Sequence, residues 1–593
     1  MKRIIVALLK SFTSLLIIGF ETAVINFDEF ITTSINPVLP LLAFIVISLM
    51  FYFFSIHKIS IETKIASTIL SIFLGINYSY NNFETIIFVN KIYYLFIAIY
   101  IFGWQLILSN VIEYIRKLVV MLQNIKDTKF DKLINKISNT KFIILITLFI
   151  FICWIPYIII RYPAGLEYDA MHQLLQYFGY ERLTNHWPVF STYLMGSIAN
   201  IGKTIFGDYE SGVFFLTIVQ SIFSAFTFSY TTLYGRKHEL SNVLTLLIIC
   251  AYAFVPIFPG YFTSIVKDVP YSLAILWLII IITKLVTDNK HINIASLFFI
   301  SLFTCLLRNE GKYVLSFMLI YSLFVFISNK EKSYLYVSIV FITNILLSSC
   351  YSNILLPYLG IKQTSIAEAL SIPFQQTARY INAYENELTE EEIKTISSVL
   401  DIKTLKEDYN PLLSDPVKAT YRGDNKELIN YLSTWFKMFF KHPIVYVDAT
   451  LNNSYGFLYS TKKVASGVNS GVYNFKLEAE DSEGNILSLY SFEKDEAYEK
   501  LLKNIVKKIE NIPVIGQTCN IGLYVNVTIL LFIIALKYKK NLFMLFIPSV
   551  ACLLVCIASP TWWWNGFRYA LPIVACMPYL LINIVASNME NNG

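Results

Sequence analysis

Long apolar runs separated by short polar joints dominate the chain. A helix needs about 20 apolar residues to cross a bilayer, and about fourteen runs approach that length: roughly 4–20, 37–56, 62–79, 88–108, 141–160, 211–234, 242–259, 269–286, 292–307, 313–328, 334–352, 519–536, 541–559 and 567–586. Basic residues cluster in alternate joints. Placing the N-terminus inside gathers His57 with Lys58, the segment from Arg116 to Lys141, Arg236 with Lys237, Lys284 with Lys290, Lys330 with Lys332, and Lys537 to Lys540 on the cytoplasmic side, as the positive-inside rule requires. Both termini are then cytoplasmic. The pattern predicts an all-α polytopic membrane protein.

Three stretches break the alternation. Residues 110–140 set apolar positions at helical spacing against lysines, the pattern of an amphipathic helix on the inner leaflet or of a basic topology anchor. Residues 353–516 are far more polar. Within them YENELTEEEIKTISSVLDIKTLKEDY reads as helix, and SGVYNFKLEAEDSEGNILSLYSF carries strand-like alternation and turn residues, which predicts a mixed α+β extracytoplasmic domain. The third stretch, within residues 161–210, follows a span directly and holds Glu167, Asp169, His172, Glu181, Arg182 and His186. Loops that only join spans are short, so this one is the candidate active-site loop. The chain thus divides into N-terminal spans (1–109), a cytoplasmic segment (110–140), a transmembrane core (141–352), the extracytoplasmic domain (353–516) and C-terminal spans (517–593).

Composition narrows the class. With 593 residues, 56% of them hydrophobic and 15% charged, the chain has more apolar surface than one water-soluble core could bury. The net charge of +6 is scattered between apolar runs, which speaks for cytoplasmic loops and against nucleic acid. Eight cysteines, nearly all inside apolar runs and with no CxxC pair, indicate neither a disulfide framework nor a metal knuckle. The opening MKRIIVALLKSFTSLLIIGF resembles a signal peptide, but Lys10 interrupts it and no small-residue cleavage site follows. It is expected to stay as a first span or signal anchor.

This topology sends four polar features to the outer face: the loop around Asp169, PGYFTSIVKDVPYS with Lys267 and Asp268, LLRNEGKYV with Arg308, Glu310 and Lys312, and SPTWWWNGFRYALP with Arg568. Charge near a bilayer core is costly and marks a candidate site. A carboxylate such as Asp169 can deprotonate an acceptor hydroxyl within hydrogen-bond reach. Glu167 is an orienting or metal-binding candidate, and His172 and His186 suit substrate hydrogen bonding, since they lack the HExxH spacing of a metal site. Lys267, Arg308 and Arg568, with Arg161 at the same depth, could neutralise a phosphate or diphosphate. Trp562 to Trp564 fit an interfacial aromatic belt or a sugar-stacking surface.

Together these pieces resemble the GT-C superfamily, membrane glycosyltransferases that use polyprenyl-phosphate-linked sugars. More narrowly, YPAGLEYDAMHQ, NHWPVFSTYLMG, SIVKDVPYS, LLRNEGKY, EALSIPFQQTARY, YNPLLSDPVK, HPIVYVDATL and GFRYALP are similar to an uncharacterised family of large bacterial membrane proteins grouped near those enzymes, over roughly residues 141–586. The resemblance implies that Asp169 is the general base, that Asp268 is a second catalytic acid group, and that Lys267 and Arg308 contact the donor phosphate. Its first-loop acids are split as Glu-Tyr-Asp, which leaves a divalent metal optional. It further implies a lipid-linked sugar donor and an envelope glycan, teichoic acid, lipid or protein as acceptor, with the reaction on the outer face of the cell membrane. Two rival classes share these features: a polymerase or ligase of lipid-linked saccharides, recruiting Arg568, Arg308 and His186, and a flippase or transporter, which would show internal repeats and polar groups at the bilayer midplane.

Overall fold

A computed structural model describes residues 59–125, 136–286, 293–460, 475–480, 486–492, 516–538 and 542–590, with a few isolated positions besides. The predicted spans 4–20 and 37–56, the signal anchor and the middle of the basic segment lie outside these residues apart from isolated positions. Among the described residues seven helices are long and apolar enough to cross a membrane: Ile92–Gln123, Asn139–Ile160, Tyr209–Lys237, Asp268–Val286, Gly311–Asn329, Lys332–Tyr358 and Gly566–Ser587. Four more apolar helices, Asn242–Phe254, Ile294–Leu307, Ile521–Leu536 and Phe543–Ala558, are shorter than a span needs. The architecture is that of an all-α polytopic protein.

Burial separates the middle of the bundle from its rim. Asp268–Val286 is apolar on every side, and 78% of its most apolar window is buried; the still more apolar Asn139–Ile160 has 17% buried. A helix hydrophobic all round belongs in a core or in lipid. The first is therefore central, packed against Gly566–Ser587 and Ile294–Leu307, while the second turns most of its surface outward against Tyr209–Lys237. Ile92–Gln123 runs unbroken past residue 110, so the basic segment begins as the end of a spanning helix.

The polar stretch after residue 353 makes a helical layer with a core of its own, built on Phe374, Ile381, Ile396, Leu400, Tyr431 and Met438. Its helices start where the sequence caps them. Thr389 and Glu392 close one capping box at Glu390–Ser397, and Asp424 and Glu427 close another at Asn425–Lys441. In each, the acidic first turn also complements the positive end of the helix dipole. Beyond this layer an antiparallel hairpin pairs Phe475–Glu480 with Ile486–Phe492, where strand alternation was predicted.

The layer is fastened to the bundle by backbone carbonyls. Trp562 donates its indole N–H to the carbonyl of Asn452 at 2.8 Å, Asn453 reaches the carbonyl of Ser559 at 2.8 Å, and Thr561 reaches that of Leu412 at 2.6 Å. On another side Arg379 (2.9 Å) and Asn452 (2.8 Å) both donate to the carbonyl of Glu84, which ends the helix Ile61–Phe83 in the left-handed region at φ 57°. Gly456 lies flat against the Trp562 ring, and a Cβ there would overlap it. Gly456→Ala is therefore expected to displace Trp562 and cost about 2 kcal/mol, read as a lower thermal unfolding midpoint in detergent; an unchanged midpoint would mean that this seam does not hold the layer.

Candidate active site

The loop after Asn139–Ile160 is folded on a small apolar core. Ala170, Leu174 and Leu175 of the amphipathic helix Tyr168–Phe178 pack with Met195, Ala199, Val213 and Leu216 of the next two helices, which fixes the direction of the opposite, polar face. What brings this loop to the rest of the site is a two-residue parallel pairing: Gly165 is opposite Ser264 and Leu166 opposite Ile265. The Glu167 amide extends it by donating to the Ile265 carbonyl at 3.3 Å. Gln220 satisfies this buried backbone by donating to the Ser264 carbonyl at 2.7 Å. Three residues beyond Leu166 is Asp169, and two beyond Ile265 is Lys267, so the register sets the two side chains face to face.

From there a row of alternating charges crosses the end of the bundle. Lys267 Nζ is 2.9 Å from Asp169 Oδ2, and Arg568 Nη1 is 2.7 Å from the same oxygen. Arg568 also lies 3.9 Å from Asp268 Oδ2, Asp268 Oδ1 is bonded by Arg308 Nη1, and Arg308 grips Glu310 through Nη2 at 2.8 Å and Nε at 3.1 Å. Asp268 and Arg308 are almost wholly buried. Four sequence-distant segments thus converge, bringing Asp169, Lys267, Asp268, Arg308 and Arg568 together at the first turn of Tyr168–Phe178 and the ends of Asp268–Val286, Ile294–Leu307 and Gly566–Ser587.

Local chemistry explains the placement. Asp169 and Asp268 each occupy a first helical turn, where a negative charge meets the positive dipole end. Arg308 is extended at the end of Ile294–Leu307, and the chain reverses so tightly that a Cβ on Gly311 would run into the Thr304 carbonyl. Glycine lets Arg308 and Glu310 face one cluster within a single turn. Tyr569 lies between the two guanidinium groups, 5.0 Å from Arg308 and 5.5 Å from Arg568, and Tyr271 lies 5.6 Å from Arg308. Such faces favour cations.

Burial alone would push the Asp169 carboxyl up, but Lys267 and Arg568 outweigh it and hold it well below the usual carboxylate range. Glu310 follows the same pattern: burial raises it and Arg308 lowers it further. Burial opposes charge on Arg308 as well, yet Asp268 and Glu310 keep its proton held more tightly than usual.

The other expected residues sit around this row. Arg161 is not part of it: its Nη1 is bonded to the Gly260 carbonyl and lies 2.8 Å from Ser264 Oγ, so it braces the neighbouring loop. Glu167 is buried, and its charge acts on Arg161 and Arg568. Lys312 turns away to Ser352 Oγ at 2.7 Å. His172 binds Glu181 at 2.7 Å through Nδ1 and stacks on Trp187 with centroids 4.9 Å apart. His186 is within electrostatic reach of Asp169, Lys267, Glu368 and Lys418, and its loop is held by the Asn185 amide on the Lys362 carbonyl at 2.8 Å. Tyr569 and Trp187 were not singled out by sequence, and Glu310 and Glu181 were named in the outer loops without a role. Glu310 is paired beside Arg308 in the chain and Tyr569 follows Arg568, so adjacency was the available signal. Among the described residues no three His, Cys, Asp or Glu side chains are grouped as a metal would need.

Residues 179–592 match DUF6020, a family of unknown function. The matched segment includes Lys267, Asp268, Arg308 and Arg568 and begins after Asp169. No curated protein matches the chain, and no solved structure does.

The buried row generates two expectations. Removing one partner of a buried pair costs about 3 kcal/mol, so Arg568→Gln should destabilise strongly, whereas adding Asp169→Asn to it should restore part of the loss. A double-mutant cycle on thermal unfolding reads the coupling; additive losses would show that the pair contributes nothing. Because Asp169 and Glu310 titrate lower folded than unfolded, their contribution is complete above the unfolded carboxylate range of about 4 and is withdrawn as pH falls through it toward the folded values. The unfolding midpoint should therefore drop on acidification below about pH 4, and less steeply in Asp169→Asn; equal slopes would remove Asp169 from the account.

Proposed function

The chain belongs to the family of unknown function DUF6020, and from that premise we propose that it is a membrane glycosyltransferase of GT-C type, moving a sugar from a polyprenyl-phosphate donor to a cell-envelope acceptor. The observation that carries this reading is the buried contact of one carboxylate, Asp169, with two cations, Lys267 and Arg568, at one end of an apolar bundle. In this reading all fourteen apolar runs cross the membrane, both termini are cytoplasmic, residues 353–516 form an outer α+β domain, and the site faces outward.

The charges suit that chemistry. A polyprenyl-phosphate sugar is a phosphodiester with one negative charge. The acceptor oxygen forms a bond to the anomeric carbon, the bond from that carbon to the phosphate oxygen breaks, and the electron pair leaves with the phosphate. The acceptor proton goes to Asp169. Asp169 loses its charge as the phosphate gains its second, so Lys267 and Arg568 can pass from one to the other with the net charge of the cluster unchanged. This exchange also answers the low basicity of a doubly paired carboxylate: a donor phosphate that draws the cations away restores it. Arg308, bonded by both Asp268 and Glu310, suits holding Asp268 in place better than meeting the donor. A transporter would rather keep its polar groups at mid-bundle, away from the helix ends where this row lies.

Purified full-length protein given radiolabelled polyprenyl-phosphate sugars and envelope fractions should transfer label. Asp169→Asn should lower transfer by at least about a hundredfold when rates are compared per folded molecule. Full activity in that variant would remove the base assignment, and absence of transfer from every donor would remove the reading.

A further inference from the structure

Beside the charge row stands a ladder of four rings. Tyr168 meets His172 edge-on at 4.4 Å, His172 lies parallel to Trp187 at 4.9 Å with 4° between planes, and His186 meets Trp187 edge-on at 4.8 Å. The ends are open, with Tyr168 65% exposed and His186 exposed. The middle is fixed: Glu181 holds Nδ1 of His172 at 2.7 Å, which orients the ring and sets which nitrogen faces the carboxylate. Two polar atoms within the ladder, Nε2 of His172 and Nε1 of Trp187, are buried without a hydrogen-bond partner among the described residues. Buried polar groups are seldom left so, and such atoms mark where a ligand's hydroxyls can bond.

The ladder is next to Asp169 by construction. His172 is one helical turn along Tyr168–Phe178 from Asp169, close enough for neighbouring side chains, and the charges of Asp169 and Lys267 reach His186. Aromatic faces with a few polar atoms suit a pyranose ring, whose axial C–H face is apolar and whose rim carries hydroxyls. A lipid chain would have no use for the two polar atoms, and an extended peptide would seek backbone partners that a ladder of rings does not offer.

Resting on the glycosyl-transfer reading above, we propose that the acceptor is a saccharide, seated on the ladder of Tyr168, His172, Trp187 and His186 with a hydroxyl directed to Asp169. His172 and Trp187 bind it, and Glu181 is a positioning residue that acts through His172.

The test uses the full-length protein in nanodiscs and two probes, an N-acetylhexosamine tetramer and a hexose tetramer. Saturation-transfer NMR should show one face of a pyranose ring in contact, with Trp187→Leu weakening binding about tenfold. Tyr168→Ala and His186→Ala, at exposed ends, carry the same test should Trp187→Leu not fold. Glu181→Gln should weaken binding and mix the two His172 tautomers in nitrogen-15 spectra, a change that loss of packing alone would not give. Failure of both tetramers to bind, or transfer of sugar to lipid or peptide acceptors alone, overturns the saccharide assignment while the transfer reading stands on its donor assay. Binding of a tetramer with no transfer from any donor keeps the ladder as a saccharide site and removes the transfer reading.

Discussion

The cost of removing charge from water governs this structure. Taking even one ion out of solvent costs several kcal/mol, and a buried ion is tolerated only when an opposite charge and good geometry meet it. Here three cations and three carboxylates are brought to one place, from Lys267 through Asp169, Arg568, Asp268 and Arg308 to Glu310. Each segment that contributes a member is acceptable at this depth only because the others arrive. The loop, the central helix, the tight turn at Gly311 and the last apolar helix therefore form a single arrangement.

That dependence explains the scaffolding. A pairing of two residues on each side would be too weak to align two loops alone, so it is reinforced by Gln220 on the Ser264 carbonyl, Arg161 on the Gly260 carbonyl and Ser264, and the apolar core under Tyr168–Phe178. The polar layer closes over the same end. It is tied to the turn that precedes Arg568 through Trp562 and Ser559, and to the loop of His186 through Lys362 and Thr364. Both attachments touch segments that carry site residues.

Much of this could be read from the sequence, and the limits are physical. The apolar runs around 141–160, 211–234, 269–286 and 567–586 appear as long helices because hydrophobic length is a strong, local signal. The segment YENELTEEEIKTISSVLDIKTLKEDY, read as helix, contains Glu390–Ser397, whereas Asn425–Lys441 was not singled out although Asp424 and Glu427 cap it as plainly. The expected sidedness put Asp169, Lys267, Asp268, Arg308 and Arg568 on one face, without any pairwise contact being visible. What stayed hidden depends on distance along the chain. A two-residue strand has no periodicity to detect, Arg161 differs from the other cations only in finding Ser264 first, and Trp187 stacking on His172 needs the folded loop. The helix Asn242–Phe254 falls short of its apolar run because the chain breaks at Val255 and Pro256 and starts a second short helix, Ile257–Phe262.

A row of alternating charges has two unlike ends, and this one terminates in an ammonium at Lys267 and a carboxylate at Glu310. An anion can join at the lysine end and lengthen the row by one member without breaking any pair, whereas at the other end it would meet repulsion. The cluster is in that sense directional, with its ammonium end beside Asp169 and its carboxylate end at the turn before Gly311. In the proposed reading a donor phosphate would meet Lys267 beside Asp169 first, and would reach Arg568 by displacing that carboxylate.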